Sequence, residues 1–169
     1  ASAEPQAPAA LGALDLGTAN AYVALGDKAD TAQFTLETWL RRDGPGAATT
    51  TGTSGVTLVP LITNGTAEAE TAAADINYFL GIRDSDGVLC ADFEEAQTGA
   101  TRGLNHPICG TTPLTGGVWY HAAATYDGTT WRLYLNGNVD AVLTVGQPAN
   151  SANTSQLAFG TSMTTGNSA

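Results

Sequence analysis

Apolar and polar positions alternate with a period of two through much of this chain, the periodicity of strands that bury one face. It is clearest between Gly117 and Gly137, where two runs rich in aromatic and aliphatic residues flank Asp127-Gly128. Asp-Gly between such runs signals a hairpin, because a type I′ turn needs φ > 0 at both central residues. A two-residue loop pairs Tyr126 with Thr129, Ala124 with Trp131, Ala122 with Leu133 and Tyr120 with Leu135, and that face is apolar. The other face collects Trp119, His121, Ala123, Thr125, Arg132, Tyr134 and Asn136. A four-residue loop would keep the same division of faces, whereas an odd loop would invert it.

The same alternation predicts strands over residues 13–16 and 21–25, separated by a turn-like cluster at 17–20, and over 33–42. In the last of these Phe34, Leu36, Thr38 and Leu40 share one face, and Thr35, Glu37, Trp39 and Arg41 the other. Residues 56–63 read as a buried strand in which Pro60 implies an edge or a bulge. Residues 76–83 and 88–93 form a second hairpin around Asp84-Ser-Asp-Gly87, and 141–145 and 156–160 are the last strands. Between them lie an Ala- and Pro-rich tail (1–12), a surface loop of Gly, Ala and Thr (43–55), a mobile loop (66–75) and a polar excursion (94–106). Asn64-Gly65-Thr66 fits the N-glycosylation pattern but reads first as a turn. About ten short strands with no long amphipathic helix predict an all-β fold, best fitted by two antiparallel sheets packed face to face.

Composition narrows the partners. The chain of 169 residues suits one domain, and its formal charge of −10 leaves six basic residues, Lys28, Arg41, Arg42, Arg83, Arg102 and Arg132. No basic stripe exists to neutralise phosphates, which argues against nucleic acid. The acidic balance also repels anionic lipid and polyanionic glycans, leaving neutral glycans, proteins or Ca²⁺. No apolar run reaches the roughly 18 residues of a membrane-spanning helix, so no membrane insertion is expected. Cys90 and Cys109 lack the spacing of a zinc site and are expected to form a disulfide, worth about 3 kcal/mol for that loop size on a chain-entropy view. Disulfides persist mainly outside the cytosol. Ala1-Ser-Ala-Glu-Pro5 has no signal-peptide pattern and reads as a mature terminus or an excised one.

Three stretches carry a family resemblance: Ala13-Leu-Asp-Leu-Gly-Thr-Ala-Asn-Ala-Tyr-Val23, Phe34-Thr-Leu-Glu-Thr-Trp-Leu40 and the run from Gly117 to Gly137. They resemble laminin G-like jelly-roll domains with the concanavalin A-like lectin/glucanase fold, in order from about residue 13 to 169. The resemblance implies a non-catalytic module of two curved sheets within a larger secreted or surface protein, binding glycans or proteins, often with structural Ca²⁺. It also implies a closing strand reading Gly-x-Ile-Asp-Glu-Val-Arg-Ile beside the N-terminal one, and no such segment precedes Ser168-Ala169. The domain is therefore expected over 13–169 without that strand, which a second chain, a nicked fragment or a partner would supply. Where the family's N-terminal motif carries acidic residues, Gly17 and Ala21 stand here.

Candidate chemistry is sparse. Glycoside hydrolysis needs two carboxyl groups across the scissile bond; Asp92 and Glu94 are the nearest pair, Glu95 points away, and the alternative is a solvated strand end. His106 and His121 form no Ser/His/Asp pattern, and no catalytic residue is assigned. For binding, Glu37, Trp39, Arg41, Trp119, His121, Arg132 and Tyr134 form mixed faces where rings stack on sugars and polar groups meet hydroxyls. The competing reading packs Trp39 and Trp119 into a core layer. For a Ca²⁺ site, Asp27, Asp43, Asp84 and Asp86 supply candidate oxygens, although Asp in a turn commonly serves the turn itself. The functions in view are a non-catalytic module for carbohydrate or a protein surface, a glycoside hydrolase or lyase of the same fold, and an interaction domain completed by a partner's strand.

Overall fold

Two antiparallel sheets account for the alternation. The computed structural model describes residues 12–17, 20–26, 29–66, 75–96, 103–152 and 154–163. Its strands are β1 (Val23–Gly26), β2 (Phe34–Arg41), β3 (Thr49–Thr50), β4 (Thr57–Asn64), β5 (Tyr78–Arg83), β6 (Val88–Asp92), β7 (Ile108–Pro113), β8 (Trp119–Tyr126), β9 (Thr130–Leu135), β10 (Asn138–Thr144) and β11 (Leu157–Phe159). The larger sheet runs β1-β11-β4-β5-β6-β7, with β3 paired to β4, and the smaller runs β10-β9-β8-β2. This is the expected all-β sandwich. Apolar side chains from both inner faces interleave, among them Leu36, Leu80, Leu89, Ala91, Ala122 and Leu133. An aromatic cluster of Phe34, Tyr78, Phe93, Tyr126 and Trp131 fills the middle, with Phe93 and Tyr126 centroids 4.4 Å apart. Trp131 is fully buried, and its indole N–H donates to the His106 carbonyl at 3.2 Å.

The β8–β9 hairpin keeps the expected faces but not the expected register. Tyr126 pairs with Trp131 and Ala124 with Leu133, a shift of two residues that closes a four-residue loop. Of the two central residues expected to form the turn, Gly128 alone has positive φ. Asp127 instead accepts the Thr129 and Thr130 N–H groups on Oδ1 and the Arg132 guanidinium on Oδ2. The side chain thus holds a wider turn that a type I′ loop has no room for. The type I′ geometry appears at Asn136-Gly137, both at positive φ, which joins Leu135 directly to Asn138 and so creates the β9–β10 hairpin.

Other expectations are corrected by topology. Residues 13–16 form no strand; Asp15 Oδ1 accepts the Gly17 N–H, and the first strand begins at Val23, paired with β11. Pro60 stands at the expected bulge, between Pro60 and Ile62, in the gap along β4 between β3 and β11. Its missing N–H therefore falls where no strand asks for it. The 43–55 segment is not merely a surface loop. Thr49 and Thr50 pair with β4 and Thr51 is fully buried, while a second apolar cluster of Leu58, Ile76, Phe79, Val88 and Cys90, with Val56 and Cys109 packed against it, lies on the outer side of the larger sheet. Gly55 is required there, because a Cβ would lie 2.1 Å from Thr51 Oγ1. Cys90 and Cys109 face each other across β6 and β7 and form the expected disulfide. Most of the 1–12 tail and of the 66–75 loop lies outside the described residues.

Candidate functional site

Strand pairing brings all seven candidate binding residues onto one surface, the outer face of the smaller sheet. Paired residues share a face in an antiparallel ladder. Arg41 stands beside Trp119, Trp39 beside His121, and Glu37 beside Ala123, which in turn pairs with Tyr134. Thr35, Thr125 and Arg132 make the next row. Trp39, Trp119, His121, Arg132 and Tyr134 are half-buried, and Glu37 and Arg41 are exposed. The tryptophans are therefore not sandwich core; the inner-facing neighbours Leu36, Leu40 and Ala122 take that place. Sequence reasoning missed Val139 and Val142, which the Asn136-Gly137 turn sets beside Tyr134 and Arg132 on the same face, 57% and 56% exposed.

Short-range contacts hold these side chains in place. The Trp39 and His121 rings meet edge-on at 5.3 Å, and Glu37 Oε2 lies 3.8 Å from His121 Nε2. The Arg41 guanidinium sits 5.6 Å over the Trp119 ring and is held by both oxygens of Asp43 at 2.7–3.0 Å. Arg132 is held by Asp127 at 2.8 Å, and this bond with the two backbone donors pushes the Asp127 carboxyl down to about 2. The His121 N–H donates to Asn136 Oδ1, which ties β8 to the β9–β10 turn. An open depression lined by Arg42, Asp43, Gly44, Pro45, Leu114 and Gly116 lies at the Arg41–Trp119 end. Chemically, the face offers apolar ring surfaces interleaved with a carboxylate, an imidazole and a phenol.

The remaining candidates sit elsewhere. Asp86 is held by Arg83 through two bonds of 2.6 and 2.9 Å, and Asp84 is exposed in the same turn. Asp43 is bound to Arg41 as described, and Asp27 lies outside the described residues. Carboxylates neutralised by guanidinium groups do not fit the six to eight oxygens Ca²⁺ needs. Among the described residues no group of three or more His, Cys, Asp or Glu side chains is placed to hold a metal ion. Asn64 of the glycosylation pattern is 1% exposed and donates its amide to Asp30, so the Asn64-Gly65-Thr66 stretch is a buried turn, with Gly65 at positive φ.

Asp92 and Glu94 are not a solvated strand end. Both are fully buried, with Glu95 nearly so, and Glu95 Oε2 meets His106 Nε2 at 3.0 Å. Asp92 points away from the main core and accepts the Thr51 hydroxyl at 2.5 Å, while Thr51 Oγ1 accepts the Val56 N–H. Burial raises Asp92 to about 8, outweighing the Thr51 hydroxyl and the His106 and Phe93 N–H groups, so the group is largely neutral at pH 7. With the 51–56 segment over it, Asp92 presents no oxygen to a sugar in solution.

Comparison with known proteins agrees with the fold. The family model described as Concanavalin A-like lectin/glucanases superfamily, of the laminin G type, matches residues 16–169, and the chain belongs to that family. A search of curated proteins finds no match. Among solved structures, a sialidase CBM40 from Ruminococcus gnavus bound to α2,3 sialyllactose has a TM-score of 0.54 at 15% identity, covering 82% of this chain and 69% of its own. A native heptameric SAP-like pentraxin from Limulus polyphemus has a TM-score of 0.47 at 15% identity, covering 79% of this chain and 54% of its own. A galectin from Caenorhabditis elegans has a TM-score of 0.41 at 10% identity, covering 84% and 82%. This chain thus spans about half the length of the pentraxin chain.

Proposed function

We propose that the domain is a non-catalytic binding module, an accessory part of a larger secreted or surface protein, and that the outer face of its smaller sheet takes carbohydrate. The observation that carries this is the convergence of Trp39, Trp119, His121 and Tyr134, half-buried and open to solvent, on one sheet face. Aromatic rings stack on the apolar faces of sugars, and Glu37, Asn136 and the imidazole meet hydroxyls. The family and the sugar-bound CBM40 of like fold support a binding role, and the disulfide supports an oxidising compartment. The test is a glycan array on the intact domain followed by calorimetry. Binding that Trp39→Ala abolishes in a folded protein supports the reading, and a folded domain that binds no glycan removes it.

A second reading rests on β2. It ends the smaller sheet, and its outer edge has no strand partner among the described residues. An eight-residue edge of this kind is a template for a partner's strand. Hydrogen exchange on the isolated domain decides this: fast exchange along the outward amides of β2 supports strand addition, and uniform protection excludes it.

A further inference from the structure

We infer that the glycan is a neutral, linear chain laid lengthwise along the outer face of β8 and contacted at several sugar units, rather than a charged or terminal sugar held in a pocket. This rests on the carbohydrate reading above and adds the class of ligand. The first observation is the spread of the rings. Trp119 and Tyr134 lie one strand and four residues apart in register. With strands about 4.8 Å apart and about 6.8 Å per residue pair, their Cα atoms are roughly 14 Å apart, and those of Trp39 and Tyr134 roughly 12 Å. One sugar ring cannot touch such a set; a chain can. Ala123, the smallest side chain of the face, separates Glu37 from Tyr134 and keeps the path between the rings low. At the Trp119 end the path continues toward the depression between Pro45 and Leu114.

The second observation is electrostatic. Sugar carboxylates and sulfates are recognised by free, forked guanidinium groups. Both guanidiniums of this face, Arg41 and Arg132, are already occupied by Asp43 and Asp127. Glu37 adds a further negative charge, and the chain as a whole carries −10. Among the described residues, the one further guanidinium at this end, Arg42, donates to the Gly44 and Pro45 carbonyls, so an anionic glycan would meet repulsion along the ring face, and the acidic sialyllactose of the CBM40 neighbour is not the ligand class expected here.

Calorimetry on the intact domain with neutral gluco-, manno- and xylo-oligosaccharides of two to six units, beside oligogalacturonates and sialyllactose, tests this. For at least one neutral series, affinity is expected to rise at least tenfold from dimer to hexamer. Trp119→Ala and Tyr134→Ala should each lower hexamer affinity at least tenfold, with the fold checked by circular dichroism. Asp43→Asn, which frees Arg41 at an exposed position, should add measurable affinity for oligogalacturonate. A dimer that binds as tightly as a hexamer, or an acidic sugar that binds wild type better than any neutral one, overturns the inference while leaving a glycan module intact. Failure of a folded domain to bind any of these sugars overturns the carbohydrate reading together with it.

Discussion

The Trp39 indole meets the His121 imidazole edge-on, at 60° and 5.3 Å between centroids, on neighbouring strands of an open sheet face. Neither ring belongs to the sandwich core, so removing one weakens binding while leaving the fold in place. Trp39→Ala is expected to weaken sugar binding at least tenfold, about 1.4 kcal/mol. The melting temperature should fall by only a few degrees, as a loss of about 1 kcal/mol does in a chain of this size. Trp39→Phe, which keeps an aromatic surface, should recover most of the affinity. Calorimetric titration paired with thermal melts of the three proteins measures both.

Asp92 makes stability fall as pH rises. Its folded value of about 8 lies above the ordinary 3.8, so between these limits the folded protein holds a proton that the unfolded chain releases. The contribution is full below about pH 4, declines through the interval at up to about 1.4 kcal/mol per pH unit, and is gone above about 8. Asp92→Asn keeps an acceptor for Thr51 and cannot ionise. Urea unfolding at pH 5, 6, 7 and 8 should show a shallower pH dependence for the variant, with its largest gain over wild type at pH 8.

Gly137 is the point on which the β9–β10 hairpin turns. Its φ of 77° and that of Asn136 at 52° define the two-residue loop, and open space surrounds the position where a Cβ would stand. The cost of Gly137→Ala is therefore conformational alone, about 1 kcal/mol. Gly110→Ala should cost more by a different route, since its Cβ would lie 1.8 Å from Asp140 Oδ2, where β10 packs on β7. Denaturant midpoints of the two variants compare the effects.

The Cys90–Cys109 bridge joins strands that already pair, and it closes a segment of 19 residues' separation. Reduction, or Cys90→Ala with Cys109→Ala, is expected to lower stability by about 3 kcal/mol. Sugar binding should survive under native conditions, because the bridge lies in the larger sheet and the ring face in the smaller one. Unfolding curves and titrations with and without reductant check both halves.

Much of this was legible from alternation alone. The period of two separates Leu36 and Leu40 from Glu37, Trp39 and Arg41, and likewise Trp131 and Leu133 from Arg132 and Tyr134, whatever the turn length, provided it is even. Register was not legible. Asp127-Gly128 and Asn136-Gly137 carry nearly the same turn chemistry, and Asp127 differs through its bond to Arg132, a contact that needs the strands already in place. Burial of Thr51, Asp92 and Glu94 was equally hidden, since polar residues enter a core only when partners from distant segments meet them. Whether Trp39 faced a second layer or solvent depended on what covers that sheet, and no local pattern encodes this.

The most direct test follows the three indole N–H signals in a ¹H–¹⁵N spectrum while a neutral hexasaccharide that binds is added. Trp39 and Trp119 lie on the proposed face, and Trp131 is sealed in the core with its N–H on the His106 carbonyl. The account predicts that the Trp39 and Trp119 signals move with saturation while the Trp131 signal stays in place. Saturable binding that leaves Trp39 and Trp119 unmoved would contradict it.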